Sequence, residues 1–150
     1  MALFNPYLHF AGNTEEAFNF YKSILGGEFI KMVRYKDLPQ SDEHKIPEAY
    51  LDKIMYIALP IGKNNVLMGS DAILESTEKK FTVGDNFHIS ISAENKEEAN
   101  NLFNGLSVDG KIEMPIANSP WGSYFGMLID KFGIQWTVDF DPKDNRKIKQ

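Results

Sequence analysis

The sequence predicts an α+β fold of two tandem β-α-β-β-β modules, whose mixed sheets curve into a shared cup. The first indication is an internal echo, in which NTEEAFNFY at 13–21 is followed 82 positions later by NKEEANNLF at 95–103. The second is that each echo follows a short extended run and precedes three further strand-like runs. The third is a polar, turn-rich stretch near 75–85 that separates the two halves.

The domain boundaries follow from the same repeat. We predict one domain over residues 1–150, with modules at 1–75 and 82–140 joined by the polar link at 75–85. A sheet with its helix on one face needs cover on the other, and two such sheets placed side by side form a cup. The basic segment KDNRKIKQ at 143–150 is expected to be a solvated C-terminal tail.

Each echo has the start and stop signals of a helix. Asn13 and Asn95 are the predicted N-caps, and an acidic pair follows each of them in the first turn, where the helix dipole favours negative charge. Apolar residues then recur at helical spacing, and LGG at 25–27 ends the first helix. We therefore predict helices at 14–25 and 96–106, with the acidic pairs as solvent-facing residues of the first turn.

The remaining elements are predicted to be strands. PYLHF and NFHISIS precede the two helices. After the helices come EFIKMVRY, KIMYIALPI and NVLMGS in the first module, and KIEMPI, SYFGMLID and IQWTVDF in the second. Residues 36–53 form a charged, proline-containing excursion of a length that often covers a pocket.

The composition argues against several classes of function. With 21 acidic and 16 basic side chains and a net charge of −5, the chain has no basic stripe, and we expect no nucleic-acid partner. The absence of cysteine excludes disulfides, thiolate nucleophiles and thiolate metal sites. No apolar run approaches the ~20 residues that span a bilayer. Because the first residues also lack a basic leader, we expect a cytoplasmic protein without a membrane partner.

The chain resembles the PhnB-like branch of the vicinal oxygen chelate superfamily, which contains glyoxalase I, extradiol dioxygenases and bleomycin-resistance proteins. Three segments carry the resemblance: YLHFAGNTEEAFNFYKSILGGEF, DKIMYIALPIGKNNVLMGSD and GKIEMPIANSPWGSYFGMLIDKFGIQWTVDF. The resemblance implies a glyoxalase-like fold but no single reaction, because this fold hosts many chemistries. Some members are described as 3-demethylubiquinone 3-methyltransferases. Nothing here resembles a glycine-rich strand-turn-helix loop for S-adenosylmethionine, since LGG follows a helix.

The resemblance also implies where a metal would bind. In metal-using relatives four side chains, typically His or Glu, come from the first and last strands of the two modules. The corresponding places here hold Pro6, Met68, His88 and Thr137. A register error of one residue adds no carboxylate or imidazole, since the neighbours are Tyr7, Leu67, Gly69, Trp136 and Val138. We therefore expect no metal site and no cofactor.

His88 is the predicted centre of the site. It alternates with two serines, which directs all three into the cup, while the intervening apolar residues face the helix. His88 is predicted to contact a ligand or to act as a general acid or base; a histidine hydrogen-bonded within a lined cavity is the alternative. His9 is assigned to the helix-packing face through its correspondence with Ile91, and His44 to the charged excursion.

Two aromatic residues are predicted to wall a ligand pocket. Trp121 and Tyr124 flank Gly122 in an apparent turn before a strand, with core packing as the alternative. Asp130 is predicted to be structural in a tight turn, and Trp136 to pack against the helix. Further predicted lining residues are Tyr56, Met68, Asp71, Glu113 and Arg34.

These features favour a small-molecule binding or sequestering protein that lacks the usual metal site and has an unknown ligand. The alternative is a glyoxalase-like lyase, isomerase or dioxygenase-type enzyme that uses His88. An interaction protein with a cup filled by its own side chains is a third interpretation. We also expect a homodimer, because the cups of this superfamily are commonly completed across a two-fold interface and the excursion at 36–53 is available for it.

Overall fold

The computed structural model describes residues 2–39, 41–42, 45–74 and 81–143. The chain divides into two compact units, Met1–Thr82 and Val83–Gln150, which are called here the first and the second module. Three parts of the sequence predictions lie outside the described residues: the link from 75 to 80, His44, and the basic tail after Lys143.

The first module contains one helix and a four-stranded mixed sheet. Its elements are β1 (Tyr7–Phe10), α1 (Thr14–Leu25), β2 (Lys31–Arg34), β3 (Ile54–Ile61) and β4 (Asn65–Asp71). The strand order is β1-β4-β3-β2, with β1 parallel to β4 and the other neighbours antiparallel.

The second module repeats this arrangement. Its elements are β5 (Ile89–Ser92), α2 (Lys96–Leu106), β6 (Lys111–Asn118), β7 (Tyr124–Ile129) and β8 (Gln135–Phe140). The strand order is β5-β8-β7-β6, again with the first strand parallel to the last. The predicted α+β class with two β-α-β-β-β modules is confirmed, and both helices have their predicted bounds. None of the helices in the described ranges is long and apolar enough to cross a bilayer.

The core of the first module lies between α1 and one face of its sheet. Phe10 of β1 meets Phe18 of α1 edge to face, with 6.4 Å between ring centroids. Gly69 of β4 lies directly under Phe18, because a Cβ at this position would approach the ring to 2.6 Å. A glycine here lets the helix come close to the strand. The other face is called the helix-distal face, and in this module it carries Tyr7, His9, Lys31, Tyr56, Met68 and Ser70.

Asp71, at the end of β4, caps α1 in place of Asn13. Its Oδ1 accepts hydrogen bonds from Gly12 N at 3.1 Å, Thr14 N at 3.0 Å and Thr14 Oγ1 at 2.7 Å. Its Oδ2 accepts one from Ile54 N at 2.8 Å. Asp71 is 2% exposed, and the Asn13 side chain makes no capping hydrogen bond. Asn13 thus has the predicted N-cap position, but the prediction that its side chain accepts the capping hydrogen bond is wrong. The prediction that Asp71 lines a cup is also wrong.

Arg34 likewise has a structural role. Its guanidinium forms an ion pair with Glu15 in the first turn of α1 and donates to the carbonyl oxygen of Asp52 at 2.8 Å. The hydrogen bond with Glu15 raises the pKa of Arg34 above its usual range. Arg34 is thus not a lining residue, and Glu15 is paired instead of simply facing solvent. The pairing depends on a contact with β2, which the local helix pattern does not reveal.

In the second module the predicted cap of α2 is confirmed. Asn95 Oδ1 accepts a hydrogen bond from Glu98 N at 2.8 Å, and Glu98 Oε1 accepts one from Glu94 N at 3.2 Å. The Asn95 side chain therefore satisfies a backbone donor of the first turn, and the Glu98 side chain satisfies one just before the helix.

The face of the second sheet that packs on α2 is marked by Gly126 of β7. A Cβ there would approach Phe103 of α2 to 2.7 Å. Val138 pairs with Gly126, and Trp136 follows the same alternation along β8; both side chains are buried. The prediction that Trp136 packs against the helix is therefore confirmed. The opposite face is the helix-distal face of this module.

Asp130 fixes the turn between β7 and β8. Its Oδ1 accepts hydrogen bonds from Phe132 N at 2.8 Å and Ile134 N at 3.0 Å, and its Oδ2 accepts one from Trp136 Nε1 at 2.8 Å. The residue is buried. This geometry confirms the predicted structural role of Asp130.

The excursion after β2 contains two short 3-10 helices, Tyr35–Asp37 and Glu48–Tyr50. The Tyr35 hydroxyl donates to the carbonyl oxygen of Asp71 at 2.8 Å, and burial raises the pKa of this phenol. A depression of about 450 Å³ lies in the excursion. It is lined by Ser41, Asp42, Lys45, Ile46, Glu48 and Leu51, none of which was a predicted site residue.

Candidate functional site

The helix-distal face of the second module carries the predicted centre of the site. Ile89 of β5 pairs with the buried Trp136, so Ser90 and Ser92 lie on the helix-distal face. His88 precedes the strand with the same alternation. The predicted orientation of His88 and the two serines away from the helix is therefore confirmed.

Two rows of paired residues cross all four strands of this face. The first row consists of Ser90, Thr137, Met127 and Met114, and the second of Ser92, Asp139, Phe125 and Ala117. Within the second row Ser92 Oγ donates to Asp139 Oδ1 at 2.8 Å. The β5 and β8 half of the face is consequently polar, whereas the β7 and β6 half is dominated by thioether and aromatic groups.

His88 and Glu113 form a hydrogen-bonded pair over this face. His88 Nε2 lies 3.1 Å from Glu113 Oε1. The two residues belong to opposite edges of the sheet, whose backbones would be roughly 14 Å apart if four strands lay flat. The side chains therefore meet above β8 and β7, which requires the sheet to curve toward its helix-distal side.

A bulge in β6 shapes the Glu113 end of the pair. Ile112 pairs with the buried Leu128, and Met114 pairs with the next residue, Met127, so that β6 has one residue more than β7 between these pairs. Such an extra residue interrupts the alternation of a strand and re-aims its side chains. As a result the successive residues Glu113 and Met114 both belong to the helix-distal face.

The hydrogen bond indicates which imidazole nitrogen is the donor. A carboxylate only accepts hydrogen bonds, so His88 Nε2 is the donor, and in the neutral imidazole Nδ1 is an acceptor. The part of the chain that the structure describes contains no hydrogen-bond partner for Nδ1. The side chains of His88 and Glu113 are 21% and 30% exposed. The pair thus offers a partly shielded acceptor to a donor group or a proton.

A tight turn holds Trp121 beside the apolar half of the face. Ser119 donates to the carbonyl oxygen of Ser123 through its backbone N at 2.8 Å and through Oγ at 2.6 Å. Gly122 has a φ of 101°, which a residue with a side chain rarely adopts. The Trp121 ring packs edge to face on Phe125 at 5.7 Å and is 65% exposed. Trp121 is therefore a rim residue with a free ring surface.

Tyr124 lies on the opposite side of the sheet from His88. Its hydroxyl donates to Asn100 Oδ1 of α2 at 2.6 Å, and Lys96 Nζ of the same helix is 5.0 Å from its ring centroid. This corrects the prediction that Tyr124 walls the pocket with His88. Strand alternation places its neighbour Phe125 there instead.

Two predicted site residues of the first module, Met68 and Tyr56, lie on its helix-distal face. Met68 pairs with Tyr7, and the Tyr7 and Tyr56 ring centroids are 6.2 Å apart. His9 also belongs to this face, with Nδ1 at 3.3 Å from Ser70 Oγ and its ring 5.0 Å from Tyr7. The assignment of His9 to the helix-packing face was wrong. That Met68 and Tyr56 border one cavity with His88 and Trp121 stays a prediction.

The error on His9 has a simple origin in the repeat. The helices are related by an offset of 82, but Leu8 is buried on the α1 side of its sheet, whereas Ser90, 82 positions later, faces away from α2. The edge strands are therefore related by an odd offset. The same shift removes Pro6 as the equivalent of His88.

The donor groups do not fit the four-ligand metal site of metal-using relatives. Of the predicted places, Met68 brings a soft thioether and Thr137 a neutral hydroxyl. No group of three or more His, Asp or Glu side chains that could hold a metal ion occurs within residues 2–39, 41–42, 45–74 and 81–143. His88 and Glu113 are two donors already bonded to one another.

Comparison with known proteins identifies the family. A family model described as 3-demethylubiquinone-9 3-methyltransferase matches residues 2–139. The chain belongs to this family. The chain is also similar to the crystal structure of protein PA1353 from Pseudomonas aeruginosa, with 34% identity, a TM-score of 0.80, and coverage of 94% of this chain and 98% of that chain.

Two further relatives extend the family over nearly the whole chain. A PhnB protein from Bacillus cereus is 26% identical with a TM-score of 0.72, over 93% of this chain and 99% of that chain. Protein YjdN of Escherichia coli is 28% identical over 137 residues, which is 90% of this chain and 92% of YjdN. The predicted resemblance to the PhnB-like branch is confirmed. A glyoxalase/bleomycin resistance protein/dioxygenase domain from Frankia, with 11% identity and a TM-score of 0.64, shares the fold.

The family description names a methyl transfer, which raises the question of a glycine-rich loop that binds a methyl donor. Gly26 and Gly27 follow α1, and Gly26 N donates to the carbonyl oxygen of Lys22 at 2.9 Å. Both have positive φ angles, of 80° and 84°. They end a helix instead of opening one after a strand, so their geometry does not fit a phosphate- or nucleoside-binding loop.

Proposed function

We propose that the second module binds a small amphipathic organic molecule on its helix-distal face, without the metal site of its superfamily. The His88–Glu113 pair, bridged at 3.1 Å over the sheet, is the observation that carries this proposal. A polar pair spanning a partly apolar floor is the usual composition of a ligand site, in which few polar groups fix the orientation of a mainly apolar molecule.

The floor supports an amphipathic ligand. Its polar half offers the hydroxyls of Ser90 and Thr137, and its apolar half offers Met127 and Phe125. A ligand that lies across the strands places its apolar part on β7 and its polar part over β8. Trp121, exposed at the Phe125 end, supplies a further ring surface.

The polar anchor acts through the nitrogen that Glu113 leaves unused. Nδ1 of neutral His88 accepts a hydrogen bond from a ligand hydroxyl or amide. Glu113 keeps the ring in one tautomer and one orientation. A ligand donor thereby gains an oriented acceptor whose rotamer freedom is already restricted.

A second candidate function is proton transfer by a lyase or isomerase. The specific observation is again the carboxylate on Nε2, because such a carboxylate orients a histidine and stabilises the imidazolium that forms when Nδ1 takes a proton. The readout is deuterium incorporation into hydroxyacetone in D₂O. Incorporation that depends on both His88 and Glu113 favours the enzyme, and incorporation at the uncatalysed rate favours binding alone.

The binding proposal predicts a localised response to a neutral amphipathic probe. With 3-phenylpropanol, the amide NMR shifts are expected to be largest at Ser90, Met127 and Thr137. His88→Gln is expected to weaken binding about 5-fold, since one hydrogen bond contributes ~1 kcal/mol. Glu97→Gln, which changes an exposed residue of α2 on the other side of the same sheet, is the control. Shifts concentrated away from this face, or an affinity that His88→Gln leaves unchanged, would contradict the proposal.

We also propose that the chain forms a homodimer. Exposed apolar side chains just before the edge strands β1 and β5 support this: Phe4 is 90% exposed and Phe87 is 62% exposed. A stable interface would bury roughly 1,200–2,000 Å² in total. Sedimentation equilibrium at micromolar concentration is expected to give twice the chain mass of 17.1 kDa. A single species of one chain mass would reject the homodimer.

A further inference from the structure

The helix-distal face of the first module carries a connected set of aromatic rings. Tyr7 is the central member, with 5.0 Å between its ring centroid and that of His9 and 6.2 Å to that of Tyr56. The ring planes are tilted by 40° and 43° to one another. Tyr7 is 42% exposed, so the set presents aromatic surface to the outside of the module.

The sheet beneath the rings explains how they are arranged. Tyr7, Met68, Ala58 and Lys31 form one row across β1, β4, β3 and β2. Ala58 is the small member of this row and is buried, whereas the larger Tyr56 lies two residues earlier on the same strand face. The short side chain leaves room for the Tyr7 and Tyr56 rings to approach one another above the strands.

His9 is held in place from below. Its Nδ1 lies 3.3 Å from Ser70 Oγ, and Ser70 is buried. The pair fixes the ring of His9 against Tyr7, since the serine backbone belongs to the central part of the sheet. The aromatic surface is therefore attached to three neighbouring strands and is pre-organised for a planar partner.

One cation stands at the Tyr56 end of the rings. Lys31 Nζ lies 5.8 Å from the Tyr56 ring centroid. Among described carboxylates none forms an ion pair with it. Lys22 differs in this respect: it also lies over a ring, that of Phe29, at 5.2 Å, but it is paired with Glu28 at 2.9 Å. Lys31 thus keeps a charge that a ligand anion can use.

We propose that Tyr7, His9, Tyr56 and Lys31 form a binding site for a planar aromatic anion such as an aryl carboxylate. The ligand ring packs against the Tyr7 and Tyr56 rings, and the ligand carboxylate meets Lys31 Nζ. Stacking selects a flat ring, and the lysine disfavours an aromatic cation. The residues of this site all belong to the first module, so its tests use variants other than those of the proposed function.

The test compares 2-naphthoate with 2-naphthamide, which has the same rings and no charge. The native chain is expected to bind naphthoate about 3-fold more tightly than naphthamide, as an exposed charge pair contributes up to ~1 kcal/mol. Lys31→Gln is expected to bring the affinity ratio to about 1 without weakening naphthamide. Lys22→Gln, the matched control, is expected to leave the ratio unchanged. A ratio that survives Lys31→Gln would overturn the role of the lysine.

The rings are tested separately from the charge. Tyr7→Leu is expected to weaken both probes about 5-fold while keeping their ratio, since an aromatic pair contributes roughly 0.5–1.5 kcal/mol beyond its area. The unfolding midpoint in urea serves as the folding control, and Tyr56→Leu is the second variant should Tyr7→Leu fail to fold. The largest naphthoate-induced amide shifts are expected at Tyr7, Tyr56 and Met68. The site would be overturned if both tyrosine variants bound the probes as tightly as the native chain does. It would also be overturned if the largest naphthoate-induced amide shifts lay in the second module.

Discussion

Replacing Asp71 with asparagine is expected to lower the free energy of unfolding by about 3 kcal/mol. The buried carboxylate accepts four hydrogen bonds, one from Gly12 N before α1, two from Thr14 at the start of α1, and one from Ile54 N of β3. An amide has one oxygen, so at least one buried N–H must then face the NH₂ group. With the oxygen toward Thr14, the orphaned donor is Ile54 N. With the opposite orientation, the backbone N–H groups of Gly12 and Thr14 are both orphaned, whereas the Thr14 hydroxyl can rotate and accept from the NH₂ group.

Urea unfolding followed by circular dichroism measures this loss. Asp52→Asn is the matched control, because Asp52 accepts a hydrogen bond from Lys36 at 2.9 Å but its side chain is 84% exposed. The control is expected to change the free energy of unfolding by less than ~0.5 kcal/mol. If Asp71→Asn were as mild as its control, Asp71 would not be the group that ties α1 to the sheet.

Local patterns in the sequence were sufficient to predict the fold. The echo at 13–21 and 95–103 gave both helices their bounds, because caps, acidic first turns and apolar spacing are short-range signals. The strands followed from alternating and β-branched runs, and all eight are present. The order of neighbours is equivalent in the two sheets, as expected for two copies of one module.

The orientation of site residues was predicted less well, because it depends on counting single residues. The offset that relates α1 to α2 and the offset that relates β1 to β5 differ by one residue. Because of this difference, His9 lies on the helix-distal face, and Pro6 is not the equivalent of His88. Strand alternation also explains the error on Tyr124. This residue faces α2, and its neighbour Phe125 lies on the helix-distal face. Repeats locate elements well, but they assign faces only where no insertion intervenes.

Contacts between distant parts of the chain were the other missing component. Glu113 was a predicted lining residue, but its pairing with His88 depends on the bulge in β6, and the run KIEMPI contains no signal for the register beyond its proline. Asp71 caps a helix that begins 57 residues earlier. Neither the His88–Glu113 pair nor the Asp71 cap follows from a fixed spacing in the sequence. The turn role of Asp130 does follow from such a local spacing, and it was predicted.

Asp130→Asn is expected to destabilise the second module by about 3 kcal/mol through a mismatch of the same kind. If the amide oxygen takes the place of Oδ1, it still accepts from Phe132 N and Ile134 N, and the NH₂ group then faces the indole N–H of Trp136. Urea unfolding measures the loss, with tryptophan emission recorded in a Trp121→Phe background so that Trp136 alone reports. Asp141→Asn, whose carboxylate accepts an exposed hydrogen bond from Lys143 N, is the matched control.

A double-mutant cycle identifies the contact responsible. Trp136→Phe removes the indole donor, so the NH₂ group that Asp130→Asn introduces no longer faces another donor. Asp130→Asn is therefore expected to cost roughly 1–2 kcal/mol less in the Trp136→Phe background than in the native chain, a coupling typical of residues in direct contact. The cycle is followed by circular dichroism, because the reporting tryptophan is absent. The clash between the introduced NH₂ group and the indole N–H disappears only when one of these two donors is removed. If the two losses in free energy of unfolding were additive, the contact with the turn amides, and not the contact with the indole, would account for the cost of Asp130→Asn.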